Sequence, residues 1–221
     1  GNHGDVKYNL YNSSQKLINS SNLYEKKILR YSTAIDKKNR IHLITLKSSG
    51  ELNHLIYEKG NWSNRTMAKL DPSSNLYGHM NISIIENKIN ILYSYAKLIN
   101  SNVWTIQHVI DEKLNLEKYN VIRYMSDKIS SPFCVDVDSF GTIHLLYSTI
   151  ENNCSQIYHI FYSSFAKKWN QIPQKLSIQN TDSLYPYLFV DTKDTLHGLW
   201  LEKMDLDYTL RYSKLTSKVS V

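Results

Sequence analysis

Short apolar runs, four to eight residues long, recur along the whole chain with polar turns between them: HLITL, NILYSY, HLLYS, HGLWL. They are rich in Ile, Leu, Val, Tyr and Phe, and no long segment of 3.6-residue period competes with them. That pattern predicts strands rather than helices. Residues 111–124 carry a weak helical pattern, but a hairpin fits the surrounding spacing better.

The runs belong to a repeat. Asp36 to His42 reads DKKNRIH, Asp138 to His144 reads DSFGTIH, and Asp191 to His197 reads DTKDTLH. A fourth copy, Glu86 to Asn90, is two residues shorter. Positions 42, 90, 144 and 197 lie 48, 54 and 53 residues apart, and each opens an apolar strand. The next strand repeats as well, with His54, His108 and His159 in one register and Thr209 at that place in the fourth copy, Thr209-Leu-Arg-Tyr212. The links before each unit are alike in three copies: Ser20–Tyr24, Ser73–Tyr77 and Thr181–Tyr185.

Four-stranded units of this length predict the blades of a β-propeller, an all-β fold of antiparallel sheets. Strands apolar on both faces agree with that, since blades pack face to face. The boundaries fall near 29–70, 77–124, 131–178 and 185–220, with residues 5–18 resembling half of another blade. The chain is read as one domain of about four to five blades, complete or part of a larger ring. A propeller must close to remove its exposed edges. The half-blade is therefore a candidate for pairing with a second copy.

Composition adds limits. The chain has 221 residues, of which 42% are hydrophobic and 21% charged, enough for a packed core. Only 7 Gly and 4 Pro are present, so turns rest on Asn, Asp and Ser. The net charge of +6 comes from scattered lysines, which predicts a solvated surface and no nucleic-acid stripe. No apolar run reaches the ~18 residues that a membrane helix needs, and no signal peptide is present. A location outside the cell or at its surface is the expectation.

The candidate chemistry is thin. Cys134 and Cys154 read as idle thiols. His42, His144 and His197 recur, one per blade, as do His54, His108 and His159. One ligand per blade is too far apart to share an ion, so each is expected to be a buried histidine hydrogen-bonded to neighbouring backbone. Asp36, Asp138 and Asp191 read as turn caps, because one carboxylate is a poor calcium cage. No metal or cofactor is expected. The aromatic residues Tyr24, Tyr77 and Tyr185 in the links, with Tyr93, Tyr147 and Trp200 at the ends of the second strands, fall on one rim. Flat rings beside Asn and Ser suit sugars.

The pattern of apolar strand, Asp-led turn and apolar-His-apolar strand resembles β-propellers of the BNR and sialidase-like kind. Val137-Asp138-Ser139-Phe140-Gly141-Thr142-Ile143-His144 and its copies carry the resemblance over nearly the whole chain. The Asp-box itself is absent. The resemblance implies a fold and no activity. Arg30, Arg40, Arg65, Arg123 and Arg211 occupy different strand positions and form no repeated triad. The leading expectation is thus a non-enzymatic module that binds carbohydrate or protein on the aromatic rim. The alternatives are a glycoside hydrolase or lyase, with Glu86, Asp136 and Glu202 as carboxylates, and an assembly domain completed by another chain.

Overall fold

A computed structural model describes residues 4–70, 76–97, 102–112, 115–127, 133–178 and 181–215; the side chains of residues 24–27 lie outside the description. The fold is all-β. The first sheet contains β1 (Gly4–Tyr11), β2 (Leu17–Ile35), β3 (Ile41–Lys47), β4 (Glu51–Glu58) and β5 (Asn61–Lys69). The second contains β6 (Leu76–Ile85), β7 (Lys88–Ala96), β8 (Val103–Glu112) and β9 (Asn115–Met125). The third contains β10 (Phe133–Val137), β11 (Ile143–Glu151), β12 (Cys154–Ser163), β13 (Lys168–Trp169) and β14 (Gln174–Lys175). The fourth contains β15 (Asp182–Val190), β16 (Leu196–Met204) and β17 (Asp207–Leu215). Every strand pairs antiparallel with its neighbour.

Each sheet is a meander, because a two-residue turn suffices to reverse an antiparallel strand. The turn-forming residues accept left-handed backbone: Asn39, Asn87, Asn153 and Asp194 all have positive φ, as does Gly141 at 78°. The described residues of 111–124 pair in the β8–β9 ladder, with Glu112 opposite Asn115, and are not helical.

The first strands of successive sheets, β2, β6, β10 and β15, lie against one another, and the sheets stack in chain order. Apolar clusters fill the space between them. Ile44, Leu46 and Leu52 of the first sheet pack with Met80 and Ile82 of the second. Leu92 and Ile106 pack with Phe133 and Leu145. Leu146 and Ile157 pack with Leu188 and Trp200. Side chains also cap the backbone of the next blade's first strand. Ser32 Oγ accepts from Ile82 N–H at 3.2 Å, and Asp136 Oδ2 accepts from Val190 N–H at 2.7 Å.

Residues 5–18 build β1 and the turn into β2. β2 runs on without a break into the first sheet, so the hairpin and the first blade share one strand. Tyr8 lies 5.0 Å from the Tyr57 ring and 5.3 Å from Trp62, which brings the hairpin against β4 and β5.

Candidate functional site

The recurring Asp and His residues form a hydrogen-bond chain inside each blade. In the third sheet, Asp138 Oδ1 accepts from Phe140 and Thr142 N–H at 3.0 and 2.8 Å, closing the turn. Its Oδ2 lies 3.2 Å from His144 Nε2, and His144 Nδ1 lies 3.2 Å from His159 Nε2. The carboxylate fixes the tautomer: Nε2–H of His144 donates to Asp138, so Nδ1 accepts from His159. In the first sheet His42 Nε2 stands 3.3 Å from Asp36 Oδ2 without hydrogen-bond geometry, His42 Nδ1 lies 2.9 Å from His54 Nε2, and Arg65 Nε donates to His54 Nδ1 at 3.3 Å. In the fourth, Tyr212 supplies the donor to His197 Nδ1 at 2.9 Å.

The second sheet shows why its turn dispenses with the aspartate. Asn90 stands in place of the histidine, and its amide oxygen accepts from His108 Nε2–H at 3.0 Å. An amide needs no carboxylate to set a tautomer. Trp169 Nε1–H closes the far end on His108 Nδ1 at 3.3 Å. The partners are therefore carboxylate, imidazole and amide, not the backbone groups expected from sequence. Burial pushes His108 down to about 3 and His159 down to about 4. These chains rigidify each blade and converge on no common point.

The sequence-predicted rim residues separate. Tyr77, Tyr93, Tyr147 and Trp200 are buried, each in an apolar cluster between sheets. As an open sugar platform these four are corrected, since the adjacent blade already covers their faces. The Tyr24 side chain lies outside the described residues. Tyr185 alone is exposed, at 48%.

Tyr185 belongs to a feature that sequence reading missed. The first strands of three sheets carry bulges beside the ends of their second strands: between Ile28 and Arg30, between Tyr77 and Met80, and between Leu184 and Tyr187. Tyr185 sits in the third bulge with φ 55°, an unusual backbone for a bulky residue, of the kind that collects at functional sites. At the other two, Arg30 Nε donates to Gly78 O at 2.6 Å and Nη1 to Leu29 O at 2.7 Å. His79 N–H donates to Ser94 Oγ at 3.0 Å, and its ring meets Phe133 edge-on at 4.9 Å. Burial, and then the Arg30 charge, lower the His79 pKa, so the imidazole is neutral at pH 7. A Cβ at Gly78 would stand 2.3 Å from Ser94 Oγ, so a larger residue would displace the hydroxyl that accepts from His79 N–H. A guanidinium, a neutral imidazole and aromatic rings at one end of the inner strands suit a polyhydroxylated ligand. The signal that marked this place is the repeated Leu-Tyr ending of the links, Leu76-Tyr77 and Leu184-Tyr185.

The three expected carboxylates do not meet. Asp136 is taken up by Val137 N–H at 2.8 Å and by Val190 N–H. Glu202 is buried against Arg211 and Thr181. Glu86 is exposed in the β6–β7 turn. Neither cysteine forms a disulfide. Among the described residues no group of three His, Cys, Asp or Glu is placed to hold a metal ion.

No family model and no curated protein sequence matches the chain. Solved structures do. The α-L-arabinanase of Penicillium chrysogenum complexed with arabinobiose aligns over 97% of this chain and 68% of its own, at 8% identity and TM-score 0.65. The GH93 α-L-arabinofuranosidase of Fusarium graminearum aligns over 85% of this chain, at 10% identity and TM-score 0.62. This chain spans only 62% of that enzyme's length. The endo-arabinase of Bacteroides thetaiotaomicron aligns at 13% identity and TM-score 0.51, over 85% of this chain and 74% of its own. The expected non-enzymatic binder gives way here: the structures the chain resembles are named as arabinanases and an arabinofuranosidase. The BNR and sialidase-like resemblance holds only at the level of the propeller. With antiparallel sheets stacked in chain order and these matches, the fold is that of a β-propeller, similar to a five-bladed arabinanase type.

Proposed function

We propose that this chain is part of a glycoside hydrolase acting on an arabinan-like polysaccharide, with sugar bound where the inner strands bulge at Arg30, His79 and Tyr185. The observation that supports it is the alignment of 97% of the chain with an arabinanase that holds arabinobiose. Hydrolysis of a glycosidic bond uses two carboxyl groups flanking it. Asp136 and Glu202 are engaged as structural acceptors, so the reading assigns the catalytic pair to other acidic residues of this chain. A polymeric substrate is too large to enter a cell, which fits the expected location outside it.

The test is reducing-sugar release from linear arabinan, with arabinobiose binding followed by calorimetry. Release should occur, and His79→Ala should weaken arabinobiose binding at least about tenfold, near 1.4 kcal/mol. A chain that neither cleaves arabinan nor binds arabinobiose overturns the reading.

A further inference from the structure

The outer edges of the second and third sheets differ. β9 runs for eleven residues, and β5 of the first sheet for nine. In the third sheet the outer strand is reduced to β13 and β14, two residues each. Pro173 lies between them and has no N–H to offer a ladder. The Asn170 side chain stands in for the missing strand: its Oδ1 accepts from Phe161 N–H at 2.6 Å. Beside this break an open groove of about 510 Å³ lies between β9 and β13.

The groove joins ring surface to polar groups. Tyr119 and Trp169 line it, with Lys118, Asn120, Lys168 and Gln171 around them. Both rings are half-buried, and both are held by Tyr162, at 5.9 Å from Tyr119 and 5.7 Å from Trp169. Rings already fixed cost little to immobilise on binding. Trp169 spends its one donor on His108 Nδ1, and Tyr119 donates its hydroxyl proton to Glu117 at 2.8 Å. The polar groups come from the rim. Gln171 and both lysines are exposed, and Asn120 commits its Oδ1 to Gln107 while its amide N–H groups remain. The first sheet shows the same place filled. Tyr57–Trp62 and Tyr162–Trp169 are equivalent cross-strand pairs. Trp62 is met edge-on by Tyr8 of the first hairpin at 5.3 Å, whereas the groove beside Trp169 stays open.

The chemistry selects among occupants. A peptide adding to β12 as a strand needs free backbone groups, and those at this edge are taken. Phe161 is met by Asn170, and Ile157 donates to Ser177 Oγ and accepts from Leu176 N–H. A sugar needs ring faces for its C–H groups, and amides or ammonium groups for its hydroxyls. The groove supplies both. Its volume falls within the ~300–1,000 Å³ of small-ligand sites, room for a short oligosaccharide. No carboxylate is among its described lining residues, so it can hold a glycosidic bond without cleaving it.

We propose that this groove is a second, non-catalytic binding site for a stretch of the polysaccharide, held by stacking on Tyr119 and Trp169. The identity of the sugar rests on the arabinan reading above.

Calorimetry with linear arabinohexaose tests it. The wild type should bind at two sites. Tyr119→Ala should weaken one of them at least about tenfold, and Gln171→Ala the same one about threefold, while His79→Ala should weaken the other. Gln171 is exposed, so its variant carries the test if Tyr119→Ala does not fold. Both groove variants should raise KM for linear arabinan without lowering kcat. Two sites that ignore both groove variants overturn the proposal, as does a single site abolished by His79→Ala; in either case the arabinan reading stands. A chain that binds no arabinohexaose overturns the groove and that reading together.

Discussion

The third and fourth sheets carry the same sequence pattern and meet opposite environments. Asp138, His144 and His159 form a buried chain; Asp191, His197 and Tyr212 form the same chain half in solvent. Side-chain exposure at the aspartate is 2% in one and 33% in the other. The hydrogen bonds differ by at most a few tenths of an ångström. Local sequence thus builds the chain in either setting, while a covering blade alone decides what it is worth. In the third sheet an unmade bond strands a buried polar group. In the fourth, water replaces it.

The largest effect should come from placing one charge at equivalent positions. Ile157→Lys sets an ammonium between two sheets with no partner. We expect a loss above about 4 kcal/mol, or failure to fold, read by chemical denaturation. Leu210→Lys at the matching site should leave the fold unchanged. Equal destabilisation in both would erase the distinction between the sheets.

Acid should act next, and on the covered blades first. His108 and His159 are neutral when folded, with pKa values of about 3 and about 4, whereas the unfolded chain protonates near 6.5. Their contribution is complete above 6.5 and is lost as pH falls through 4, since the unfolded state takes up protons first. His159 alone accounts for up to about 3 kcal/mol by pH 4. Denaturation midpoints measured from pH 7 to 4 should fall steeply, and His159→Gln should flatten the slope. A midpoint independent of pH would mean that these rings are hydrated.

A smaller contrast lies in the turns. Asp138→Ala removes the acceptor of two N–H groups and of His144 at a buried site, and should cost about 2–3 kcal/mol. Asp191→Ala removes the same bonds at an exposed site and should lower Tm distinctly less.

Much of this was legible in the residues. The Asp-to-His spacing marked three blades, and the shortened Glu86–Asn90 copy marked the fourth, because a turn and the strand after it are local. The aromatic rim was not legible. Tyr77, Tyr93, Tyr147 and Trp200 repeat as a surface feature would, yet inter-blade packing repeats with the same period. Sequence periodicity cannot separate the two. Nor did it reveal the bulges that carry Arg30, His79 and Tyr185, since a bulge is a mismatch between two strands and neither strand encodes it alone.

The sequence by itself determined the strands and their turns, because these depend on contacts between neighbours in the chain, while the side-chain partners of the recurring histidines came only with the strand register. Only the tertiary structure decided which copy of each position is covered. That follows from the stacking of whole sheets: Ile157 and Leu210 are equivalent in sequence, and they differ because a fourth sheet lies on the third while no described sheet lies on the fourth.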